Sequence, residues 1–560
     1  MRRLDPQVGN VSVEELKDLV FQGSWTPRRI ESSELTKYHK LINILKNNHI
    51  KNRKICFISA PQLKPDSVNY KAVLNRRYLA FPHHGFMILS AAIRSFMPAW
   101  NVQLIDLYIE VLKKAYLGQS HDLKEVLNLI PNDCDLYGVS IMFESNLFQS
   151  LQCMEYLLDK GKFVIAGGVQ STVDFENLLK LNYADIVVKK EGETQLIKLL
   201  NLWERVKSTG DNFENNFQEF YNMSFRHGDE IISFEDKHEN PISLDIRKEY
   251  KLIDLNKYNK YATPNIWARI AAAGRKWATL LTNRGCRGNC IFCQVTDIMG
   301  RGVRSRSVND VIEEILFLYY EEGVRHIEII DDDFLGNRER ALELLFRWAD
   351  LNLDLTFSTG AGVLAISIDE EMANAMAKAG CVMTGFGVET GNEERLKSLG
   401  KPATLKKVRE ACDIFMKNYP NIWVQANFIL GFPSETLGEL FDTFNYAKSL
   451  KIDYCQSAIL NPIVGTSIFE KLVSMKDERV LDRFGKDKMA MHSVGRGLVS
   501  RGLTFDDVYK EVYDFRKVEL NRVATNLEVQ QFQIFFNVFT NLVGSIHLQP
   551  GGNPEKIKSF

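Results

Sequence analysis

The chain has 560 residues, with 70 Lys and Arg against 71 Asp and Glu and a formal net charge of −1. This balance excludes the basic surface that binds a phosphate backbone, so we predict no nucleic-acid partner. No run of about 18 uncharged apolar residues predicts a membrane span, and the polar N-terminus lacks the apolar core of a signal peptide. The 9 cysteines are an odd number and are scattered apart from one cluster, which argues against a disulfide framework. These features predict a protein of the reducing cytoplasm.

The first part of the chain alternates between short apolar runs and helical stretches. Residues 1–50 have a polar, mostly helical pattern and are predicted to form an N-terminal extension. From 51 to 205, strands separated by helices predict parallel crossovers and a Rossmann-like, doubly wound α/β sheet. The predicted strands cover 55–60, 102–105, 136–141, 163–166 and 186–188. Ligands of such sheets bind beyond the carboxyl ends of the strands, so a cofactor edge is expected there.

The second part is predicted to be a barrel. Residues 206–275 lose the periodicity and contain a turn or hairpin around Gly228, so we predict a linker there. Residues 276–470 hold six strand-like runs with helices between them, which predicts a partial (β/α)6 barrel with its chemistry at the strand ends. Ser307 is expected to cap the helix that follows it. Residues 471–560 are predicted to form a helical C-terminal cap.

The most informative segment directly follows the first barrel strand and reads Gly285-Cys286-Arg287-Gly288-Asn289-Cys290-Ile291-Phe292-Cys293. Its spacing, Cys-x3-Cys-x2-Cys, places three thiols on one glycine-containing loop. Short spacings of this kind hold iron–sulfur clusters, and three ligands leave one iron of a four-iron cluster open. The alternative is a structural zinc site, which needs four ligands and usually draws them as two separated pairs. No fourth Cys or His lies nearby in the sequence, so we favour iron and sulfur.

This loop resembles the signature of the radical S-adenosylmethionine superfamily, Cys-x3-Cys-x-aromatic-Cys. The resemblance implies that Cys286, Cys290 and Cys293 are the catalytic cysteines and the metal ligands of a 4Fe-4S cluster. It also implies that the open iron binds S-adenosylmethionine, with Phe292 at the aromatic position near the adenine.

Minor motifs of the superfamily follow in order at the predicted strand ends. They are Ile330-Asp331-Asp332-Asp333, Gly387-Val388-Glu389-Thr390-Gly391, Gly431-Phe432-Pro433-Ser434-Glu435-Thr436 and Pro462-Ile463-Val464-Gly465-Thr466. Three depart from the commonest pattern, because aspartates replace a Gly-Gly-Glu segment, Thr390 replaces a serine and Ser434 replaces a glycine. The resemblance implies cosubstrate contacts from Asp331, Asp332, Ser358 and Glu389.

The first sheet resembles the cobalamin-binding domain that precedes the barrel in one large branch of this superfamily. The similar segments are Phe81-Pro82-His83-His84-Gly85, Asp106 after the second strand, and Ala166-Gly167-Gly168-Val169-Gln170-Ser171-Thr172. The resemblance implies cobalamin contacts from Pro82, His84, Gly85, Asp106, Ser140, Gly167, Gly168 and Glu191. No Asp-x-His-x-x-Gly motif supplies a lower axial histidine, and retention of the fold without cobalamin stays open.

The resemblance implies an enzyme that methylates an unactivated carbon of a metabolite or peptide through a 5′-deoxyadenosyl radical and methylcobalamin. The same cluster serves ring formation, oxidation or rearrangement in other relatives, and this alternative stays open. A non-catalytic iron–sulfur or cobalamin sensor is disfavoured, because a sensor needs neither an open iron nor the ordered strand-end motifs. The expected partners are a small-molecule or peptide substrate and an electron donor such as flavodoxin or ferredoxin.

Overall fold

The computed structural model describes residues 32–142, 146–209, 219–238, 244–264, 274–475, 522–525, 528–533, 535–537 and 540. The chain divides into two compact units between Thr263 and Pro264. Part of the predicted N-terminal extension (1–31) and most of the predicted C-terminal cap lie outside the described residues. No helix among the described residues is long and apolar enough to cross a membrane.

The first unit is built on a seven-stranded sheet. In chain order its strands are β1 (Lys54–Ser59), β2 (Asn101–Asp106), β3 (Leu136–Ser140), β4 (Val164–Gly167), β5 (Ile186–Val188), β6 (Met223–His227) and β7 (Glu230–Ser233). The spatial order is β2-β1-β3-β4-β5-β6-β7, and the first five strands are parallel. The α-helices are Ser32–Asn47, Tyr70–Leu74, His84–Phe96, Leu107–Tyr116, Leu123–Leu127, Leu147–Asp159, Val169–Val173, Phe175–Lys180, Glu193–Thr209, Tyr250–Ile253 and Leu255–Tyr261.

The strand order confirms the predicted doubly wound sheet. Because β1 lies between β2 and β3, the order of the strands reverses there, and a ligand crevice forms at such a switch point. Ser59 of β1 pairs with Ser140 of β3 at this edge. The turn signal at Gly228 joins β6 to β7, and β6 pairs antiparallel with β5. The hairpin therefore extends the sheet, although the sequence suggested only a linker; the predicted domain limits remain a proposal.

The second unit contains a six-stranded parallel sheet and a short ribbon. The sheet strands are β8 (Trp277–Leu280), β11 (His326–Ile329), β12 (Thr356–Val363), β13 (Cys381–Glu389), β14 (Trp423–Leu430) and β15 (Tyr454–Ile459), and the ribbon strands are β9 (Asn283–Arg284) and β10 (Arg304–Ser305). The sheet strands lie side by side in chain order, which confirms the partial (β/α)6 barrel. The α-helices are Val295–Met299, Val308–Tyr320, Arg338–Asp350, Glu370–Lys378, Glu393–Ser398, Leu405–Asn418, Leu437–Ser449 and Ser467–Ser474.

Local sequence rules explain where these helices begin. Ser307 Oγ accepts a hydrogen bond from Asp310 N at 3.1 Å, as the sequence predicts. Thr436 and Glu439 form a capping box at the start of Leu437–Ser449. Aromatic contacts then fix the helices on the outside of the sheet, since Trp348 packs on Phe357 with ring centroids 5.0 Å apart.

A described C-terminal segment covers the edge of the barrel. The unpaired side of β15 exposes backbone groups, and Asn537 satisfies two of them: its Oδ1 accepts from Ser457 N at 2.8 Å and its Nδ2 donates to Ser457 O at 3.2 Å. Phe536 packs on Phe428 of β14, with ring centroids 5.4 Å apart. Upstream, Ala524 N donates to Glu435 O at 2.9 Å. The described part of the predicted cap therefore contacts the last two strands.

Candidate functional site

The cysteine loop is folded back by the short ribbon of β9 and β10. Gly302 N donates to Cys286 O at 3.1 Å, and Arg306 N donates to Thr282 O at 3.0 Å. Gly285 has a left-handed φ of 83°, and a Cβ at this position would lie 2.5 Å from Gly302 O. The position therefore requires glycine, and the ribbon fixes the start of the signature loop.

The three thiols are half-buried, and two of them flank Gly288. A Cβ built on Gly288 would lie 3.4 Å from Cys286 Sγ and 3.6 Å from Cys290 Sγ, so the missing side chain leaves space beside both sulfur atoms. The Gly288 amide donates to Cys286 Sγ at 3.3 Å. Burial raises the pKa of all three thiols, that of Cys290 to about 11, so a metal centre must displace their protons when it binds.

This loop fits a cluster with an open iron. In the part of the chain that the structure describes, no three His, Cys, Asp or Glu side chains are arranged around a single metal ion. A closed zinc site requires four ligands in a tetrahedron. Three thiols on one loop, next to space left by Gly288, match the ligand set of a 4Fe-4S cluster that keeps one iron exposed.

Two buried aspartates after β11 hold the cysteine loop. Asp331 is 1% exposed and accepts from Thr282 N and Thr282 Oγ1, both at 2.6 Å. Asp333 is fully buried and accepts from Arg287 Nε at 2.7 Å and Arg287 Nη2 at 3.1 Å. Burial raises the pKa of Asp331 to about 7. Both carboxyl groups are engaged by the protein, so the side chain of Asp331 holds the cysteine loop in place, and its contact with the cosubstrate stays a prediction.

Asp332 differs from its two neighbours because its side chain is exposed. Its Oδ2 accepts from Gly285 N at 3.2 Å. Burial is the main cause of the raised pKa of Cys293, and the charge of Asp332 adds to it, which places this carboxylate beside the thiols. Of the two predicted aspartates, Asp332 is the exposed one, and its contact with the cosubstrate stays a prediction.

Glu389 ends β13 in an ion pair. It has a left-handed φ of 71°, which is strained for a residue with a Cβ, and its Oε1 accepts from Lys401 Nζ at 2.5 Å. A Cβ on Gly387 would lie 2.7 Å from Glu389 Oε1 and 2.8 Å from Lys401 Nζ. Gly387 therefore leaves the room that the ion pair occupies. Both side chains are almost buried, with exposures of 10% for Glu389 and 9% for Lys401.

Phe292 joins the cysteine loop to the later motifs. Its ring packs against Phe432 of the Gly-x-Pro turn, with centroids 5.9 Å apart. Ile468 N donates to Ile291 O at 3.1 Å, which brings the helix Ser467–Ser474 onto the same loop. The motifs singled out in the sequence therefore meet around the cysteines.

Ser358 is the third residue of β12 and belongs to a buried hydrogen-bond network. Its Oγ bonds His326 Nε2 at 3.0 Å and donates to Glu328, whose Oε1 also accepts from Gly360 N at 2.9 Å. Burial lowers the pKa of His326 to about 3, so the ring is neutral. We call the buried group His326, Glu328 and Ser358 the floor of the barrel. The Ser358 hydroxyl already bonds both other members of this group.

In the first unit, the ends of β3 and β4 bring three predicted residues together. Ser140 pairs with Gly167, and Ile141 N donates to Gly167 O at 2.9 Å. Gly168 has φ 96°, and a Cβ there would lie 2.7 Å from Ile141 O and 2.9 Å from Ser140 Oγ. The glycine is therefore required by the protein's own backbone, whereas the sequence suggested close approach of a ligand.

Asp106 caps a helix. Its Oδ1 accepts from Tyr108 N at 2.9 Å and Ile109 N at 3.2 Å, and its Oδ2 accepts from Tyr258 Oη at 2.7 Å. Burial raises the pKa of Asp106 to about 6. Asp106 therefore lies at the strand end, as predicted, and its carboxyl group caps the following helix; its contact with cobalamin stays a prediction.

The remaining predicted residues surround the start of the helix His84–Phe96. Pro82 and His84 are buried, and Gly85 is exposed. A Cβ on Gly192 would lie 3.7 Å from Leu89 Cδ2, so the partly exposed Glu191 lies near the same helix.

The sequence raises His83, together with His84, as a residue that could approach the corrin ring or cobalt, against the alternative of a surface position. The Nδ1 of His83 accepts from Phe86 N at 3.3 Å, so its Nε2 must carry the proton. Nε2 is buried, and the described residues offer it no hydrogen-bond partner. The ring stacks on Phe86 with centroids 3.9 Å apart. A buried donor of this kind needs an acceptor from outside the described residues.

Three residues near the cysteines were missed: Arg287, Asp333 and Lys401. Arg287 lies in the cysteine motif and Asp333 in the aspartate motif. Their opposite charges, in two segments expected to meet, could have indicated an ion pair. Lys401 lies in the turn Gly400-Lys401-Pro402 with no motif around it. Only the fold shows that this turn contacts the cysteine loop, where Ile291 N donates to Leu399 O at 3.0 Å.

Comparison with known proteins agrees with this geometry. Residues 280–447 match the Radical SAM superfamily. The chain is 29% identical over 57% of its length to an uncharacterized methyltransferase of Pyrococcus horikoshii, of which 64% is covered. It is 25% identical over 55% of its length to an anaerobic magnesium-protoporphyrin IX monomethyl ester cyclase of Cereibacter sphaeroides, of which 48% is covered. The chain thus spans less than two thirds of both curated relatives.

The fold is also similar to a solved structure. The radical S-adenosylmethionine methyltransferase TsrM from Kitasatospora setae, solved with cobalamin and a 4Fe-4S cluster, superposes with a TM-score of 0.57 at 15% identity. The alignment covers 76% of this chain and 78% of TsrM. Residues 280–447 are therefore similar to the Radical SAM superfamily, and the fold of the chain is similar to that of TsrM.

Proposed function

We propose that the protein is a cobalamin-dependent radical S-adenosylmethionine methyltransferase that acts on an unactivated carbon of a metabolite or peptide. The observation that carries the proposal is the half-buried cysteine loop around Gly288, which fits a cluster with an open iron. The similarity in fold to TsrM and the methyltransferase named among the relatives support the class of reaction.

The bound groups supply the radical, the methyl group and the electron, and the chain's residues hold and shield them. Cys286, Cys290 and Cys293 hold the cluster. The exposed Asp332 carboxylate beside the loop binds the cationic end of the cosubstrate by charge. At the floor of the barrel, His326, Glu328 and Ser358 are at most 2% exposed, so water is excluded from below.

In the first unit, the switch point between β1 and β3 is the expected place for cobalamin. His83 fits this role because its buried Nε2–H needs an acceptor, such as an amide oxygen of the ligand. Because Nε2 carries the proton, we assign His83 a donor's role and not that of a cobalt ligand. Pro82, His84 and Glu191 are proposed to line the same region.

The compartment and partners belong to the same proposal. The 9 cysteines are all free, which supports the reducing cytoplasm. A low-potential one-electron donor of the flavodoxin or ferredoxin class is required to reduce the cluster, and the balanced charge supports the absence of a nucleic-acid partner.

The proposal is tested with protein reconstituted anaerobically with iron and sulfide, then given hydroxocobalamin, S-adenosylmethionine and titanium(III) citrate. We expect corrinoid absorption to remain with the protein after gel filtration. We also expect S-adenosylhomocysteine, whose release depends on added cobalamin, and 5′-deoxyadenosine from the cluster. His83→Asn keeps a helix-capping side chain and removes Nε2–H, so it should lose cobalamin while the protein stays folded, with a melting temperature lowered only by the lost stacking on Phe86.

The alternative is a radical enzyme that closes a ring, oxidises or rearranges its substrate, and the cyclase among the relatives is the observation that favours it. Such an enzyme would form 5′-deoxyadenosine without S-adenosylhomocysteine. Protein that binds the cluster, retains no corrinoid and shows this product pattern would replace the methyltransferase proposal with the alternative.

A further inference from the structure

We propose that Lys401, through its buried ammonium, is a positioning residue that stabilises the reduced state of the cluster and thereby sets its potential. This inference rests on the proposed function, because it requires a cluster on the cysteine loop. It assigns a task to a side chain that no motif identifies.

The backbone around Lys401 lies directly against the cysteine loop. Gly400 has φ 71°, and a Cβ there would lie 2.5 Å from Asn289 O and 3.8 Å from Cys290 Cα. On the other side, Pro402 Cδ would lie 3.7 Å from a Cβ on Gly288. Both neighbours of Lys401 therefore touch the segment between the first two cysteines.

The ammonium of Lys401 is buried in this place by the fold. Its side chain is 9% exposed, and Nζ bonds Glu389 Oε1 over the space left by Gly387. Burial alone lowers the pKa of Lys401, but Glu389 and the Cys290 thiol raise it, and the net shift is upward. The residue is therefore charged at neutral pH.

The two charges of the ion pair are held by different segments. Lys401 lies on the turn that contacts the cysteine loop, since Ile291 N donates to Leu399 O at 3.0 Å and Gly400 faces Asn289 O. Glu389 lies at the end of β13. The ammonium is therefore the charge that belongs to the segment touching the cysteine loop.

A charge in this position acts on electron transfer. The reduction adds one electron, taken from an external low-potential donor, and makes the cluster with its three thiolates more negative by one unit. Net charge and burial around a cluster are among the determinants of its potential. Because buried charges are poorly screened, an adjacent ammonium favours the reduced form.

The test is a redox titration of the reconstituted holoprotein, without S-adenosylmethionine, followed by electron paramagnetic resonance of the reduced cluster. Lys401→Met should shift the midpoint potential to a more negative value, and Lys401→Arg should restore it. Glu389→Gln should shift it the other way, because it removes the negative end of the pair. Lys406→Met, which removes an 87% exposed lysine nearby in sequence, should leave it unchanged.

The outcomes separate this inference from the proposed function. Parent protein that binds no iron would refute the proposed function itself. Normal iron content with the same potential in Lys401→Met, Glu389→Gln and the parent would overturn only the role of Lys401. Shifts of one sign in both variants would indicate a disturbed loop and would likewise overturn it. Should Lys401→Met fail to hold iron, the opposite shift expected of Glu389→Gln still decides the matter.

Discussion

The guanidinium of Arg287 forms a bidentate ion pair with the carboxylate of Asp333, with Nε 2.7 Å from Oδ2 and Nη2 3.1 Å from Oδ1. Arg287 follows the first cysteine, and Asp333 is fully buried after β11. This bidentate pair ties the metal-binding loop to the barrel before any cofactor binds. Arg287 Nη2 also donates to Ser367 Oγ at 2.6 Å, so this nitrogen is held by two acceptors.

Asp333→Asn should reduce the iron bound after reconstitution several-fold, because Asn cannot accept both guanidinium bonds and leaves a charge unpaired. Asp332→Asn is the matched control: its exposed side chain should leave iron unchanged and weaken binding of S-adenosylmethionine. Iron content is measured first, and cosubstrate binding by equilibrium dialysis second. Equal iron in the Asp333 variant and the parent would contradict this role.

Gly168→Ala should destabilise the first unit by roughly 1–3 kcal/mol, since φ 96° is a region that only glycine occupies comfortably and a Cβ would meet Ile141 O at 2.7 Å. Gly167→Ala should be tolerated, because its Cβ would lie 3.6 Å from Val188 O, an ordinary contact. Thermal melts of both variants check this. A tolerated Gly168→Ala would show that the backbone there is not as described.

Ser434→Gly should raise stability by about 1 kcal/mol, because Ser434 has φ 62° and a Cβ is disfavoured in that conformation. Ser434→Ala keeps the Cβ and should bring no such gain. The two melting temperatures, measured in the same buffer, separate backbone strain from loss of the hydroxyl. Equal stabilisation by both substitutions would argue against strain.

Glu435→Gln should make stability less dependent on pH. Burial raises the pKa of Glu435 from 4.5 to about 7, so its stabilising contribution is complete below pH 4.5 and is lost as the pH rises to 7. The free energy of unfolding of the variant minus that of the parent should therefore be larger at pH 7 than at pH 4.5, by on the order of 2 kcal/mol.

Glu439→Gln should change stability at neutral pH in the opposite direction. Burial opposes the shift, but hydrogen bonds from Arg395 lower the pKa of Glu439, so this substitution should cost stability at neutral pH. Melting curves from pH 4.5 to 7 test Glu435→Gln, and curves extended below pH 4.5 test Glu439→Gln, whose effect should disappear as the pH falls through the lowered pKa of Glu439. Parallel curves for Glu435→Gln and the parent would contradict the assigned protonation.

The sequence predicted both sheets because hydrophobic runs and helix spacing are local. The sequence does not indicate where β12 ends, which is at Val363. The last part of this strand passes through Gly360 and Gly362, and glycines weaken a strand pattern even where register shifts with β13 accommodate them. Likewise, the hairpin β6–β7 joins the sheet because β6 pairs with β5, and this pairing is not evident from the sequence of the hairpin.

Around the cysteines, the motifs identified which segments meet but not what each side chain does. Asp331, Asp332 and Asp333 are identical in the sequence, and the fold buries the first and third while exposing the second. The Ser358 hydroxyl forms hydrogen bonds with His326 and Glu328, and the Asp106 carboxylate accepts hydrogen bonds from the start of the helix that it caps. Such assignments depend on long-range contacts between strands, which one sequence does not display.

The most direct test of the account is the metal content of anaerobically reconstituted protein. The parent should hold four irons and four sulfides per chain, in a cluster whose reduced electron paramagnetic resonance spectrum changes on addition of S-adenosylmethionine. Combined replacement of Cys286, Cys290 and Cys293 by Ala should abolish the iron, while Ala at the six other cysteines, all buried, should leave it bound. Stoichiometric zinc without iron in the parent would contradict the central claim.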